Sequence, residues 1–218
     1  MTFPKEFKEA LSHLPSTEKD KLILRLLKKD LVLANRLLFE LVNTNTVEEQ
    51  RDKVEKTLLD QIRRSAENGH YSIGYLNFDV RDLSGFITEH VKITKDKFGE
   101  AHLNLIMINE VLKINRTFIL NSKPPAKTKK FCIAVIARAF KIVMIVQKLD
   151  DDFLIEFESN LKKLGALIID NKFLMKEAIR NGFDVNWLLN AEIPEDISTI
   201  HKQIRAAGFL KYQKVRYL

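Results

Sequence analysis

Between Val111 and Leu149 the chain carries nine Lys or Arg and no Asp or Glu. The cations are Lys113, Arg116, Lys123, Lys127, Lys129, Lys130, Arg138, Lys141 and Lys148, and they surround the most hydrophobic run in the sequence. Cations at this density suit anion chemistry, because they hold phosphates or carboxylates without reading sequence. Lys123, Lys127, Lys129 and Lys130 are expected in a mobile connector around Pro124 and Pro125. On the helix that follows, Arg138, Lys141 and Lys148 fall within about 80° of one another, a single cationic stripe. The plainer alternative is solvated lysines beside a core helix, with Arg138 paired to a carboxylate elsewhere.

A second basic window, residues 197–218, holds Lys202, Arg205, Lys211, Lys214 and Arg216 with Phe209, Tyr212 and Tyr217 between them and no acid. Aromatic faces and cations together are what single-stranded nucleic acid sites use. The same residues would also suit a terminal segment that docks its rings on the core and points its lysines outward. Formal charge is −1 over residues 1–110, +9 over 111–149, −6 over 150–196 and +5 over 197–218, within a total of +7. The acidic stretch lies between the two basic ones, so it could neutralise either.

Catalytic patterns are sparse. All-α nucleotide pyrophosphohydrolases need two paired-carboxylate motifs on facing helices; here Glu49-x-x-Asp52 stands alone, and Glu192-x-x-Glu195 contains Pro194. An adjacent His-Asp pair of the HD phosphohydrolase kind is absent, and the one Glu-x-x-His, Glu67 to His70, is interrupted by Gly69. Asp150 to Asp152 with Glu156 could hold a hard cation, but three carboxylates entering a helix are explained by capping and the helix dipole. His13, His70, His90, His102 and His201 share no motif. The single Cys132 lies among Phe131, Ile133 and Val135 and reads as core. Trp187 reads as a packing anchor. No glycine-rich phosphate loop and no GxSxG occurs, and nothing implies a cofactor.

The elements that must position these residues read as helices. Gly and Pro number seven and five, too few for a turn-rich β-sandwich. A short helix ends near Leu14. Leu24, Leu27, Leu31, Ala34, Leu38 and Leu41 then form a seam with three- and four-residue steps, while Leu22, Leu26, Leu33 and Leu37 project oppositely. A break at Lys29-Asp30, with Asp30 capping a new helix, reconciles the two faces. Thr46 and Glu49 have capping-box spacing for a helix over 47–68. Residues 70–78 read as an ordered loop, followed by helices from Asp79 to a stop at Gly99 and over 103–120. A buried helix spans 131–149, then helices begin at Asp150, Asn171 and Pro194. Residues 209–218 read as a docked extension or a strand.

Residues 131–146 are the only apolar run of membrane type. They fall short of the roughly 20 residues needed to span, and Arg138 and Lys141 near the centre would each cost about 2.5–3.5 kcal/mol. With one cysteine and no signal-peptide pattern at the N-terminus, the expected setting is a reducing cytoplasm. The expected architecture is a single all-α domain over 1–218 of roughly eight to ten helices, an irregular α-solenoid or orthogonal bundle, with an internal boundary possible at 121–130. The expected function is a non-catalytic helical module that binds a partner macromolecule, protein first. Nucleic acid bound through 111–149 and 197–218 stands second, and a metal-dependent hydrolase third.

Overall fold

The computed structural model describes residues 2–123 and 125–212, with Asp151 described by its backbone alone. These residues form twelve α-helices and one 3-10 turn, so the chain is all-α. Residues cluster into two compact units, Met1–Asn45 with Lys92–Thr94, and Thr46–Val91 with Lys95–Leu218.

The first unit contains α1 (Lys5–His13), α2 (Ser16–Leu27) and α3 (Leu31–Val42). The expected break at Asp30 is present: its side chain accepts from the Leu33 N–H at 3.0 Å and caps α3. None of the three helices buries a side chain completely.

The second unit begins with α4 (Val47–Glu67), opened by the expected capping box: Glu49 N–H donates to Thr46 Oγ1, and Thr46 N–H donates to the Glu49 carboxylate. Next come α5 (Ile73–Thr94), α6 (Lys97–Ile114), the short α7 (Arg116–Leu120) and α8 (Pro125–Val146). After the 3-10 turn at Asp151–Phe153 follow α9 (Leu154–Ile169), α10 (Lys172–Arg180), α11 (Asn186–Leu189) and α12 (Ile197–Ala206). Ten of the eighteen residues of α6 are buried, spread over most of its circumference, and it packs against α4, α8 and α9. α8 in turn meets α6, α10 and α12. Among the described residues no helix is long and apolar enough to cross a membrane.

Several expected boundaries move, among them the start of α12, which is Ile197 and not Pro194, and the helix expected over 103–120, which is divided at Asn115 into α6 and α7. Residues 73–78 are helix, not loop: Ile73, Leu76, Val80, Leu83, Ile87 and Val91 form one buried stripe at helical spacing, and that burial outweighs Gly74. The next helix does not run to Gly99. Lys95 turns left-handed (φ 60°) and ends α5, and Asp96 then caps α6 by accepting from the Gly99 N–H at 2.7 Å. α8 starts at Pro125 and not at Phe131, because proline is well suited to the first helical turn, where its missing N–H costs nothing. Lys127, Lys129 and Lys130 therefore ride on a helix. Gly165 leaves α9 unbroken and lets Leu188 and Leu189 pack close, since a Cβ there would lie 2.9 Å from Leu189.

Candidate functional site

α8 opens with Pro125, Ala126 and Lys127 and has no acid in its first turn. Lysines in the opening turns face the positive end of the helix dipole, an arrangement that disfavours the helix by about 0.3–1 kcal/mol per charge in the first turn. Beside it lies α10. Asn171 caps α10 through the N–H groups of Phe173 and Leu174, and Lys172, Lys176 and Arg180 follow at four-residue steps along one of its faces. After α12 the chain turns through Gly208 (φ 87°) and Leu210 (φ 59°). The Leu210 N–H donates to Asn181 Oδ1 at 2.8 Å, and the Leu210 side chain is buried.

These three pieces enclose a cleft of about 220 Å³ lined by Lys129, Arg180, Lys211, Glu177, Asn181 and Phe209, among others. A second cleft of about 240 Å³ shares Lys129, Glu177 and Arg180 and extends to Lys176, Phe173 and the first residues of α8. Four cations thus face one carboxylate. Glu177 is buried; its Oε1 lies 3.7 Å from Arg180 Nη1, and Asn181 Nδ2 donates to its Oε2 at 3.4 Å. Among the described residues Lys129, Lys176 and Lys211 have no ion-pair partner.

The structure therefore brings Lys129 of the first basic window and Lys211 of the second to one cleft with Arg180, and Lys176 to the cleft beside it; the acidic sum of residues 150–196 concealed the last two. Their four-residue spacing was the available signal. The stripe on α8 is spent differently. Arg138 donates to Ser84 Oγ at 3.1 Å and to the carbonyls of Ala134 and Val80 at 3.3 and 3.5 Å, and among the described residues it has no carboxylate partner. Lys141 pairs with Glu100 at 2.9 Å. Lys123, Lys127, Lys130 and Lys148 are exposed. Lys214, Arg216 and Tyr217 lie outside the described residues.

Among the described residues no other cluster presents a reactive arrangement. Ser65 Oγ donates to Asp79 Oδ2 at 2.6 Å and His70 Nδ1 lies 3.3 Å from the same oxygen. Both groups address the carboxylate and neither addresses the other, so the nucleophile-to-base link of a hydrolase is missing. Cys132 is a core residue, fully buried, and that burial, with Glu177 nearby, pushes its thiol up to about 12. Among the described residues no three His, Cys, Asp or Glu side chains are placed to hold a metal ion. Trp187 meets Phe183 and Phe140 edge-on, with ring centroids at 5.5 and 6.1 Å.

A different surface stands out in the first unit. Eleven large apolar side chains from Phe3 to Val42 are exposed, between 42% at Leu33 and 79% at Leu41. Leu24, Leu31, Leu38 and Leu41 of the heptad-like seam are among them. The chain matches no protein-family model, no curated protein and no solved structure.

Proposed function

We propose that this chain is a non-catalytic helical module that binds a partner protein, with the apolar surface of α1–α3 as the contact. One observation carries the reading: none of these helices buries a side chain, while ten of their large apolar side chains, and Phe3 just before α1, are exposed. Nine of the eleven are aliphatic and two are phenylalanines; at about 50–100 Å² left exposed on each, they sum to roughly 550–1,100 Å² spread over the three helices. That total is comparable with the ~800 Å² each partner contributes to a stable interface. A unit of this length without a core of its own gains stability by being covered. The reading places the chain in a reducing cytoplasm, where a buried lone thiol needs no partner.

Hydrogen exchange on the isolated chain tests this. Amides of α1–α3 should exchange far faster than those of α6, and a hydrophobic dye should bind and be lost in a Leu24→Ser, Leu31→Ser, Leu41→Ser variant. Slow exchange across α1–α3 with no dye binding would mean that the face is already covered, and would sink the reading. A photo-crosslinking residue at Leu31 should join a different protein; a product of twice the chain's own mass would identify a second copy instead.

Nucleic acid has weaker support, since Arg138 and Lys141 are committed to internal partners. It would still predict binding by fluorescence anisotropy at about 50 mM salt that falls steeply as salt rises.

A further inference from the structure

From the residues around the α8–α10 cleft we infer a binding site for a small phosphomonoester, its phosphate held by Lys129, Arg180 and Lys211 and its organic part against Phe209. This site is separate from the α1–α3 face and does not depend on it.

The first ground is the charge. Four cations from three stretches of chain line the joined clefts against one carboxylate, and Glu177 is already engaged by Arg180 and Asn181. The second is position. The neighbouring cleft, which shares Lys129 and Arg180, reaches Pro125 and Ala126 at the start of α8, and no acid lies in that helix's first turn. An anion that extends into this part meets the positive helix end as well as the lysines. Thirdly, the backbone leading into Lys211 is fixed. The Leu210 N–H is tied to Asn181 on α10, and Leu210 adopts a left-handed conformation that costs a non-glycine residue. That geometry brings a cation from the end of the chain to the edge of the cleft.

A phosphate dianion fits this set better than a carboxylate. It offers oxygens in several directions to cations on separate elements, and Arg180 can grip two of them through its planar fork. The cleft of about 220 Å³ suits a small molecule and not a polymer, and Phe209 and Ile133 give it an apolar wall.

Calorimetry and thermal unfolding of the full chain with inorganic phosphate and phenyl phosphate, at ionic strength held constant with sodium chloride, test the inference. Both ligands should bind and raise the midpoint, phenyl phosphate more tightly. Arg180→Gln and Lys129→Gln should each weaken binding at least tenfold, and Lys148→Gln, the same change of charge far from the cleft, should leave it intact. Lys129→Gln should also match or exceed the ligand-free stability of the parent, because it thins a group of cations gathered around a single carboxylate; a purely structural lysine would lose stability. Equal responses in all four proteins would show a bulk salt effect and overturn the site. So would no response, or binding confined to phosphatidic acid vesicles, which would mark a lipid surface instead of a small-molecule cleft.

Discussion

Arg51 Nε donates to Asp96 Oδ2 across 2.8 Å, joining α4 to the residue that caps α6. Arg51 Nη2 reaches the other oxygen at 3.3 Å, the same guanidinium lies 4.5 Å from the Phe98 ring centre, and His90 Nε2 is 3.6 Å from Asp96. Burial alone would raise the Asp96 carboxyl. Hydrogen bonds from His90, Arg51 and the Gly99 N–H, with the Arg51 charge, outweigh it and hold the group far below the usual carboxylate range.

A carboxylate depressed in the folded state stabilises the fold at pH values above its unfolded pKa near 3.8. That stability is lost as pH falls through the folded value. Stability should therefore decline progressively below about pH 4. Asp96→Asn, which strands the Arg51 charge, should cost about 3–5 kcal/mol at neutral pH and flatten the acid limb. Urea unfolding of both proteins from pH 7 to pH 2 decides it, and parallel acid limbs would refute the assignment.

Gly99 sits against the same pair. A Cβ there would lie 2.1 Å from Asp96 Oδ2 and 3.0 Å from Arg51 Nε. Helix propensity favours Gly→Ala by about 1 kcal/mol, but here the clash should win, and Gly99→Ala should destabilise by about 2–4 kcal/mol. Gly85, within α5, would meet nothing within 4 Å, so Gly85→Ala should stabilise by about 0.5–1 kcal/mol. Denaturant midpoints that move the same way in both variants would contradict the geometry.

These two glycines show where sequence was readable. Local chemistry was legible: the Thr46–Glu49 capping box and the Asp30 cap follow from side chains a few residues from the backbone they serve. The Arg51–Asp96 pair bridges residues 45 positions apart, so Gly99 read as a stop when it is the third residue of α6. The first turns of α5 were missed for a related reason. Ile73 and Leu76 gain their preference for helix from packing, which outweighs the Gly74 signal. At the cleft, summing charge over residues 150–196 hid Lys176 and Arg180, because helical geometry and not segment charge decides which side chains meet.

Cys132 is fully buried, and its thiol is pushed up to about 12, first by burial and then by Glu177. Thiolate is the reactive form, so a disulfide reagent at pH 8 should label the folded protein only as fast as it opens. Labelling should accelerate through the urea transition. Rapid stoichiometric labelling in buffer would show that the α8 core opens readily on its own.

Arg138 makes a contrasting case to Asp96. Burial, and then Arg81, lowers its pKa from the usual arginine value, and its hydrogen bonds go to Ser84 Oγ and two backbone carbonyls. No carboxylate among the described residues would be stranded by its loss. Ser84 Oγ would still donate to the Val80 carbonyl at 2.7 Å. Methionine keeps much of the aliphatic volume without the buried charge, so Arg138→Met should change stability by no more than about 1 kcal/mol. The distinction from Asp96→Asn is what is left behind: an unpaired cation in one variant, satisfied neutral groups in the other. A loss above about 3 kcal/mol for Arg138→Met in chemical denaturation would mean that the guanidinium balances a charge outside its three observed partners.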